Sequence, residues 1–169
     1  MGSEMCIRDR YKALNASHNL NGPVCVRFPR GKSSVEDFVT DDEIEIGKAH
    51  IIRTGIDIVI FAFGNMLEPS MEAAEEVNAT VIDMRFIKPL DEKLIVELAS
   101  VNKKLISIED NAISGGAGSA INEVLQKNSI KTPLHILGVP DFVTEHGSQN
   151  ELYELYGLNA KHIIKVCKS

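Results

Sequence analysis

Arg30 is the residue whose type and sequence setting best suit ligand binding. It stands in the run Arg27-Phe-Pro-Arg-Gly31. Pro29 fixes its own backbone angle and Gly31 permits a sharp exit, so this run predicts a stiff turn that presents the guanidinium. A planar guanidinium can donate two parallel hydrogen bonds to a phosphate. A loop arginine is more often a solvated charge, however, so residue type alone leaves both interpretations open.

A second candidate follows the short apolar run Leu105–Ile108, where Glu109 and Asp110 precede a loop rich in glycine. Such a loop can hold a phosphate, but this one fails the dinucleotide pattern at Ile121 and lacks a following Gly-Lys-Ser/Thr. The two carboxylates could act as acid and base. Adjacent carboxylates at a strand end are more often part of a turn and partners of a helix N-terminus, which is the interpretation that the sequence favours.

Other polar residues give weaker signals. Arg85 and Lys88 flank a predicted strand end, where an anion site is one interpretation and a solvated or interdomain salt-bridge role is the favoured one. His146 is interpreted as a structural or interface residue. The other histidines and the three cysteines show no metal-ligand spacing, so we predict no metal site.

Alternating strand and helix patterns must position these loops. The patterns predict strands over 44–53, 57–63, 80–83, 105–108 and 134–139, a loop over 85–89, and helices around 67–77 and 91–101, from Ser119, from Gln149 after a Ser148 capping box, and from Asn159 or Ala160. The run over 57–63 is apolar almost throughout, as in a central strand with both faces covered. We therefore predict an α/β fold with three α/β/α layers and a mostly parallel five-stranded sheet, whose first strand is an antiparallel edge.

Composition narrows the class of protein. The 169 residues carry a formal net charge of −6, which argues against nucleic acid as the main partner. No apolar run approaches the length of about 20 residues that spans a bilayer, and no signal-peptide core is present. Three widely spaced cysteines suit a reducing compartment. We expect a cytoplasmic protein with no membrane contact.

Four runs of residues together resemble a known family. They are Arg27–Gly31, Asn78–Asp91, Ile108–Ser119, and Val139–Phe142 together with His146–Gln149. In this order they resemble the carboxyl-terminal region of the 1-deoxy-D-xylulose-5-phosphate synthases, which are transketolase-like enzymes. The resemblance implies a transferase that condenses pyruvate with glyceraldehyde 3-phosphate, for isoprenoid and thiamine biosynthesis. It also implies that the complete enzyme is a homodimer that uses thiamine diphosphate and magnesium.

The resemblance assigns roles to particular residues. The second arginine of the family's Arg-Phe/Tyr-Pro-Arg-Gly motif contacts the phosphate of glyceraldehyde 3-phosphate, and this position is Arg30. Arg27, at the start of the motif, is interpreted as structural. The Gly-Asp-Gly motif and the domain that hold and activate the cofactor have no counterpart in this sequence. We therefore expect no catalytic, cofactor-binding or metal-binding residue here, and a chain that is inactive by itself.

The resemblance also divides the chain. Residues 1–10 match nothing in the family and are interpreted as a non-native leader. Residues 11–32 correspond to the end of the pyrimidine-binding domain, 33–42 to a linker and 43–169 to the transketolase C-terminal-like domain. The alternative hypothesis is a non-catalytic dimerisation or assembly domain of a transketolase or 2-oxo acid dehydrogenase-type protein, because fold alone does not fix function.

Overall fold

Residues 2–4, 7–27 and 44–169 are described in the computed structural model of this chain. The strands are β1 (Gly2–Glu4), β2 (Cys25–Arg27), β3 (His50–Arg53), β4 (Ile58–Ala62), β5 (Thr80–Asp83), β6 (Phe86–Lys88), β7 (Lys104–Ala112) and β8 (Leu134–Val139). The helices are α1 (Ile7–His18), α2 (Leu67–Val77), α3 (Glu92–Val101), α4 (Ala117–Lys127), α5 (Gln149–Tyr156) and α6 (Ala160–Lys168). None of the helices in these ranges combines the length and apolar character needed to cross a membrane.

The main sheet has five strands in the order β3-β5-β4-β7-β8. Strand β3 pairs antiparallel with β5, and the other neighbours pair parallel. Strand β4 is central, as its continuous apolar run predicts, and β3 is the antiparallel edge. The predicted sheet is confirmed in both strand number and direction.

Side chains that alternate along β4 supply two separate cores. Ile60 and Ala62 pack in a cluster with α2 and α6, whereas Val59 and Phe61 pack in a cluster with α3 and α4. Successive side chains of a strand point to opposite faces, so a strand covered on both faces must be apolar at every position. Helices on both faces of the sheet confirm the predicted three-layer architecture.

Local signals also locate the helix ends. Asp91 accepts a hydrogen bond from the backbone N–H of Leu94 at the start of α3. Ser148 and Glu151 form the capping box that the sequence predicts for α5, and Asn159 caps α6. Side-chain oxygens satisfy N–H groups that have no partner within a helix, which is why these residue types begin helices.

Three predicted boundaries were wrong. The first strand covers only His50–Arg53, because a turn with a left-handed Gly47 (φ 77°) interrupts the extended run. Strand β7 continues through Glu109 and Asp110 to Ala112, where a turn was predicted, since its last residue pairs with Val139. Helix α4 begins at Ala117 rather than at Ser119.

The predicted loop over 85–89 is also wrong in part, because Phe86–Lys88 forms β6. This strand belongs to a small second sheet, ordered β2-β1-β6, whose middle strand lies within residues 1–10. Sequence reasoning had set those residues aside and so had no partner for β6. Their assignment as a non-native leader stays a prediction, and residues 28–43, which include the linker, lie outside the described ranges.

Candidate functional site

The carboxyl edge of the main sheet is the place where this topology favours a site. From β4 the chain passes through α2 to β5 on one side, and then through α3 to β7 on the other side of β4. The connections leave the carboxyl ends of β4 and β7 in opposite directions, which opens a crevice there. Gly64 and Asn65 follow β4, and Glu109 and Asp110 form the distal part of β7, so both candidate carboxylates lie at this edge.

Glu109 is buried and binds the N-terminus of α4. Its side chain is 2% exposed, and its oxygens accept hydrogen bonds from the backbone N–H groups of Ala117 (2.9 Å) and Gly118 (2.8 Å). Burial raises the pKa of the carboxyl above its ordinary value, while the two backbone hydrogen bonds and the charge of Arg27 oppose that increase. The helix-partner interpretation is therefore confirmed for Glu109, although the surrounding backbone is a strand.

Two glycines make this contact sterically feasible. Gly115 has a left-handed backbone (φ 71°), which turns the chain between β7 and α4. A methyl group added at the Cβ position of Gly116 would overlap the carbonyl oxygen of Ala112 and lie 2.5 Å from Oε1 of Glu109. The loop thus needs glycine at 116 for space, so that the carboxylate can reach the helix.

Asp110 forms a different set of contacts from its neighbour, because adjacent strand residues point to opposite faces. The hydroxyl of Tyr153 on α5 donates to Oδ2 of Asp110 at 2.6 Å, and Nε2 of Gln149 donates to the Tyr153 hydroxyl at 2.7 Å. Burial, together with Asp110, raises the pKa of Tyr153 to about 12, while hydrogen bonds with Asn65 and Gln149 oppose the increase. This tyrosine is a hydrogen-bond donor at neutral pH, not a base.

Arg27 joins the same edge from outside the main sheet. Its guanidinium donates to the backbone carbonyl oxygen of Asp110 at 2.9 Å, although 83 residues separate them. The structural interpretation of this arginine agrees with the contact, because the guanidinium ties two distant parts of the chain together. The structure brings it to the carboxylate pair, whereas Arg30 lies outside the described residues and its role stays a prediction.

A cavity of about 360 Å³ opens beside this network, between α2, α5 and the start of α6. Four carboxylates line it: Glu68, Glu72, Asp83 and Glu154. The amides of Asn65, Gln149, Asn150 and Asn159 are also part of the lining, and no lysine, arginine or histidine is among its described residues. A diphosphate would be repelled by this lining.

The described residues also lack a group of three or more histidine, cysteine, aspartate or glutamate side chains arranged to hold a metal ion. The crevice therefore does not fit thiamine diphosphate with magnesium, which needs cationic or metal-bridged contacts to its phosphates. Its carboxylates and amides suit hydrogen bonding to neutral or cationic groups.

Two weaker predictions can be compared with the structure. Arg85 is buried and its Nε lies 3.5 Å from Oδ2 of Asp83, whereas Lys88 is exposed. The salt-bridge interpretation thus agrees with Arg85, although its partner lies within the same domain. His146 lies in an exposed loop. Sequence reasoning missed Tyr153, whose distance of 43 residues from Asp110 leaves no local signal of their contact.

Comparison with known proteins places this geometry in a family. The model of the family "Transketolase, C-terminal domain" matches residues 47–163. Among curated relatives, the 1-deoxy-D-xylulose-5-phosphate synthase of Vibrio campbellii is 46% identical over 153 residues, which are 90% of this chain and 25% of that protein. The synthase of Pseudoalteromonas translucida is 41% identical over 157 residues, 92% of this chain and 25% of that protein. The chain thus spans about a quarter of the length of these relatives.

Solved structures give the same fold. A split-gene transketolase, described as an inactive tetramer of four beta subunits, superposes with a TM-score of 0.87 at 28% identity. The match covers 99% of this chain and 55% of that one. The transketolase of Campylobacter jejuni superposes with a TM-score of 0.70 at 16% identity, covering 98% of this chain and 25% of that one. The second likeness concerns the fold alone. Together these matches confirm the resemblance drawn from the sequence runs.

Proposed function

The chain belongs to the transketolase C-terminal domain family, and we propose that it is the carboxyl-terminal part of a 1-deoxy-D-xylulose-5-phosphate synthase. The observation that carries the proposal is the 41–46% identity to such synthases over about nine tenths of the chain. The identity to the transketolase structures is lower, at 28% and 16%. A cytoplasmic location is part of the same proposal.

The complete enzyme would condense pyruvate with glyceraldehyde 3-phosphate and release carbon dioxide. Thiamine diphosphate would supply the electron sink for this chemistry, and it would be held with magnesium by parts of the enzyme outside this chain. The acidic crevice supports that division, because its described lining offers no cation to a diphosphate. We therefore expect the isolated chain to have no transferase activity. A thiamine diphosphate dissociation constant below about 1 µM for the chain in calorimetry would contradict this expectation.

Arg30 is proposed as the contact to the phosphate of glyceraldehyde 3-phosphate. Its support is the Arg27-Phe-Pro-Arg-Gly31 motif and the acidic character of the crevice, which leaves phosphate recognition to a cation elsewhere. A guanidinium that binds a phosphate through two charge-assisted hydrogen bonds contributes roughly 1.5–3 kcal/mol. Its removal should weaken binding about 10- to 100-fold.

A chimeric enzyme tests both parts of this proposal. The 153 residues of the Vibrio campbellii synthase that align with this chain are replaced by the matching residues of this chain. We expect synthase activity from the chimera, and its absence in a folded, cofactor-loaded protein would contradict the assignment.

In this chimera, Arg30→Ala should raise the KM for glyceraldehyde 3-phosphate about 10- to 100-fold and leave the KM for pyruvate unchanged. Lys131→Ala is the matched control, since it removes one exposed cation before β8, at the opposite edge of the sheet. If Arg30→Ala behaves like Lys131→Ala, Arg30 does not bind the phosphate.

One observation favours a second candidate function, an assembly role. The split-gene transketolase chain with the TM-score of 0.87 is described as an inactive tetramer of one subunit type. Near α5, the side chains of Phe142, Val143 and Leu155 are 57%, 94% and 60% exposed, which is unusual for large apolar residues. Light scattering after gel filtration discriminates between the two functions. A stable oligomer of the isolated chain would favour assembly, and a monomer at micromolar concentration would remove its support.

A further inference from the structure

We propose that helix α5 and the loop before it form a lid over the carboxyl edge of the main sheet, and that the hydrogen bond from Tyr153 to Asp110 is the latch that keeps this lid closed. The lid comprises residues 140–157. When it opens, α5 leaves the ends of β4 and β7 while the rest of the fold stays intact. The lid is a property of the domain itself and goes beyond the proposed transferase function.

Helix α5 is less buried than the other helices that follow β3. None of its residues is buried, whereas α2, α3, α4 and α6 each have at least two buried residues. Residues 141–150, which form most of the preceding loop and the start of the helix, are all exposed. Segments with few buried apolar groups open at a lower free energy than the core does. We therefore expect α5 to separate from the sheet before the other helices unfold.

The chain is firmly held at both ends of the lid. Before it, Val139 at the end of β8 pairs with Ala112. After it, Leu158 is 1% exposed and belongs to an apolar core cluster. Gly157 joins α5 to Leu158 with a left-handed backbone (φ 71°), and a Cβ atom there would lie 2.8 Å from the ring of His162. Hinges are residues at the ends of elements that absorb changes in backbone angle, and Gly157 lies at such a position.

Tyr153 connects the lid to the ends of two strands. Its hydroxyl donates to Oδ2 of Asp110 on β7 at 2.6 Å, and it also forms a hydrogen bond with the side chain of Asn65, which follows β4. A hydrogen bond to a carboxylate is stronger than one between neutral groups. The rings of Tyr153 and Tyr156 are partly buried and pack against the core. The latch thus combines one strong polar contact with a modest apolar one.

The same tyrosine lies between two cavities. The acidic cavity of about 360 Å³ lies between α2, α5 and the start of α6. A second cavity of about 640 Å³ lies between α5, the loop before it and the ends of β7 and β8. Gln149, Tyr153 and Leu158 line both cavities. Movement of Tyr153 away from Asp110 would therefore join the two spaces into one crevice along the carboxyl edge, which is where open α/β sheets bind ligands.

Amide hydrogen exchange of the chain itself tests the lid. Amides of α5 should exchange at least about tenfold faster than those of residues 121–125 in the buried part of α4. Low concentrations of urea should hardly change the rate in α5, because a local opening exposes little surface. If α5 exchanges at the rate of residues 121–125 and with the same dependence on urea, it opens only with the whole fold, and the proposal is wrong.

Two tyrosines of α5 provide a matched pair of variants for the latch. Tyr153→Phe removes the hydroxyl that bonds to Asp110 and should speed exchange in α5 about three- to tenfold, the effect of one charge-assisted hydrogen bond at a partly exposed site. Exchange in residues 121–125 should stay unchanged. Tyr156→Phe removes a buried hydroxyl that has no hydrogen-bond partner among the described residues, so it should leave exchange in α5 unchanged.

The pair separates a latch from a general effect on stability. Equal rates in Tyr153→Phe and Tyr156→Phe would show that the bond to Asp110 does not hold the lid. An increase in residues 121–125 as large as that in α5, or a Tyr153→Phe chain that no longer folds, would show that Tyr153 stabilises the whole domain, and the proposal would again be wrong. Neither measurement requires substrate or cofactor, so the outcome is independent of the proposed transferase function.

Discussion

Substitution of Gly116 by alanine should destabilise the chain through lack of space rather than through backbone strain. Gly116 has φ −79° and ψ −172°, which alanine adopts readily. The added methyl carbon, however, would overlap the carbonyl oxygen of Ala112 and lie 2.5 and 2.7 Å from the carboxylate oxygens of Glu109. Carbon and oxygen atoms do not approach this closely without bonding. Either the backbone of β7 or the Glu109 carboxylate must therefore move.

The cost can be estimated from what must move. Forcing a methyl group into a packed site costs about 1–3 kcal/mol. Displacement of Glu109 also weakens its hydrogen bonds to Ala117 and Gly118, and a buried N–H without a partner costs about 1–3 kcal/mol. Alanine also stabilises the folded state by about 0.4–1 kcal/mol, because it lowers the conformational entropy of the unfolded chain. A net loss of about 3–4 kcal/mol follows, which lowers Tm by about 10 °C in a chain of this size.

Two other glycines serve as matched controls. Gly115 has φ 71° and open space around its Cβ position. Gly115→Ala should therefore lower the free energy of unfolding only through the strain of a left-handed alanine, by about 1 kcal/mol net. Gly147 has neither a positive φ nor a contact closer than 3.6 Å, so Gly147→Ala should be neutral or stabilising by up to about 1 kcal/mol. Urea denaturation of the three variants, with unchanged m-values, measures these differences.

The ranking and one double variant test the steric reasoning. If Gly116→Ala destabilises no more than Gly115→Ala, the close packing of the carboxylate against the loop is wrong. Combining Gly116→Ala with Glu109→Ala removes two of the three short contacts. The double variant should then lose at least about 1 kcal/mol less free energy of unfolding than the sum of the losses in the single variants. Strictly additive losses would contradict the steric explanation.

Three further predictions concern buried polar groups. The pKa of Tyr153 in the folded chain is raised to about 12, so its contribution to stability is present below pH 10 and is lost as the pH rises through 12. Ultraviolet titration should show one tyrosine that ionises near pH 12, and this transition should be absent in Tyr153→Phe. Burial raises the pKa of Glu109, so the stability of the chain relative to Glu109→Gln should fall as pH rises from about 4.5, and a rise in denaturation experiments would contradict this sign. The Ser107 hydroxyl is fully buried without a hydrogen-bond partner among the described residues, so Ser107→Ala should be neutral or stabilising by about 1 kcal/mol in thermal unfolding.

Local chemistry was sufficient to predict most of the main sheet from the sequence. The continuous apolar run of β4 predicts a strand that is buried on both faces, and the Ser148 capping box predicts the start of a helix. Both signals depend only on neighbouring residues. The misplaced boundaries share a cause. Whether the chain continues as a strand beyond Ile108 depends on Val139, which pairs with Ala112, and β6 depends on a partner strand more than eighty residues earlier. Local propensity carries no information about such partners.

Of the polar contacts at the carboxyl edge of the main sheet, only those of Glu109 could be predicted from the sequence. Glu109 precedes a glycine loop and a helix start, and this spacing suggests a carboxylate that binds the helix N-terminus. The partners of Asp110 are Arg27 and Tyr153, which lie 83 and 43 residues away. The motif marks Arg27 as structural without indicating its partner, and nothing near Tyr153 distinguishes it from an ordinary helix tyrosine. Their contacts exist only because the fold brings β2 and α5 to the carboxyl edge of the main sheet.

The charge at this edge of the sheet decides which chemical groups the cavity can accept. Four carboxylates line the cavity beside the network, so a phosphate gains nothing by entering it. Arg27 lies at the same edge of the sheet, where it donates to the carbonyl oxygen of Asp110 and its charge acts on the carboxyl of Glu109. The charge of this cavity therefore disfavours a phosphate and favours neutral or cationic groups. Under the proposed function, recognition of the phosphate of glyceraldehyde 3-phosphate would therefore rest on residues outside this cavity.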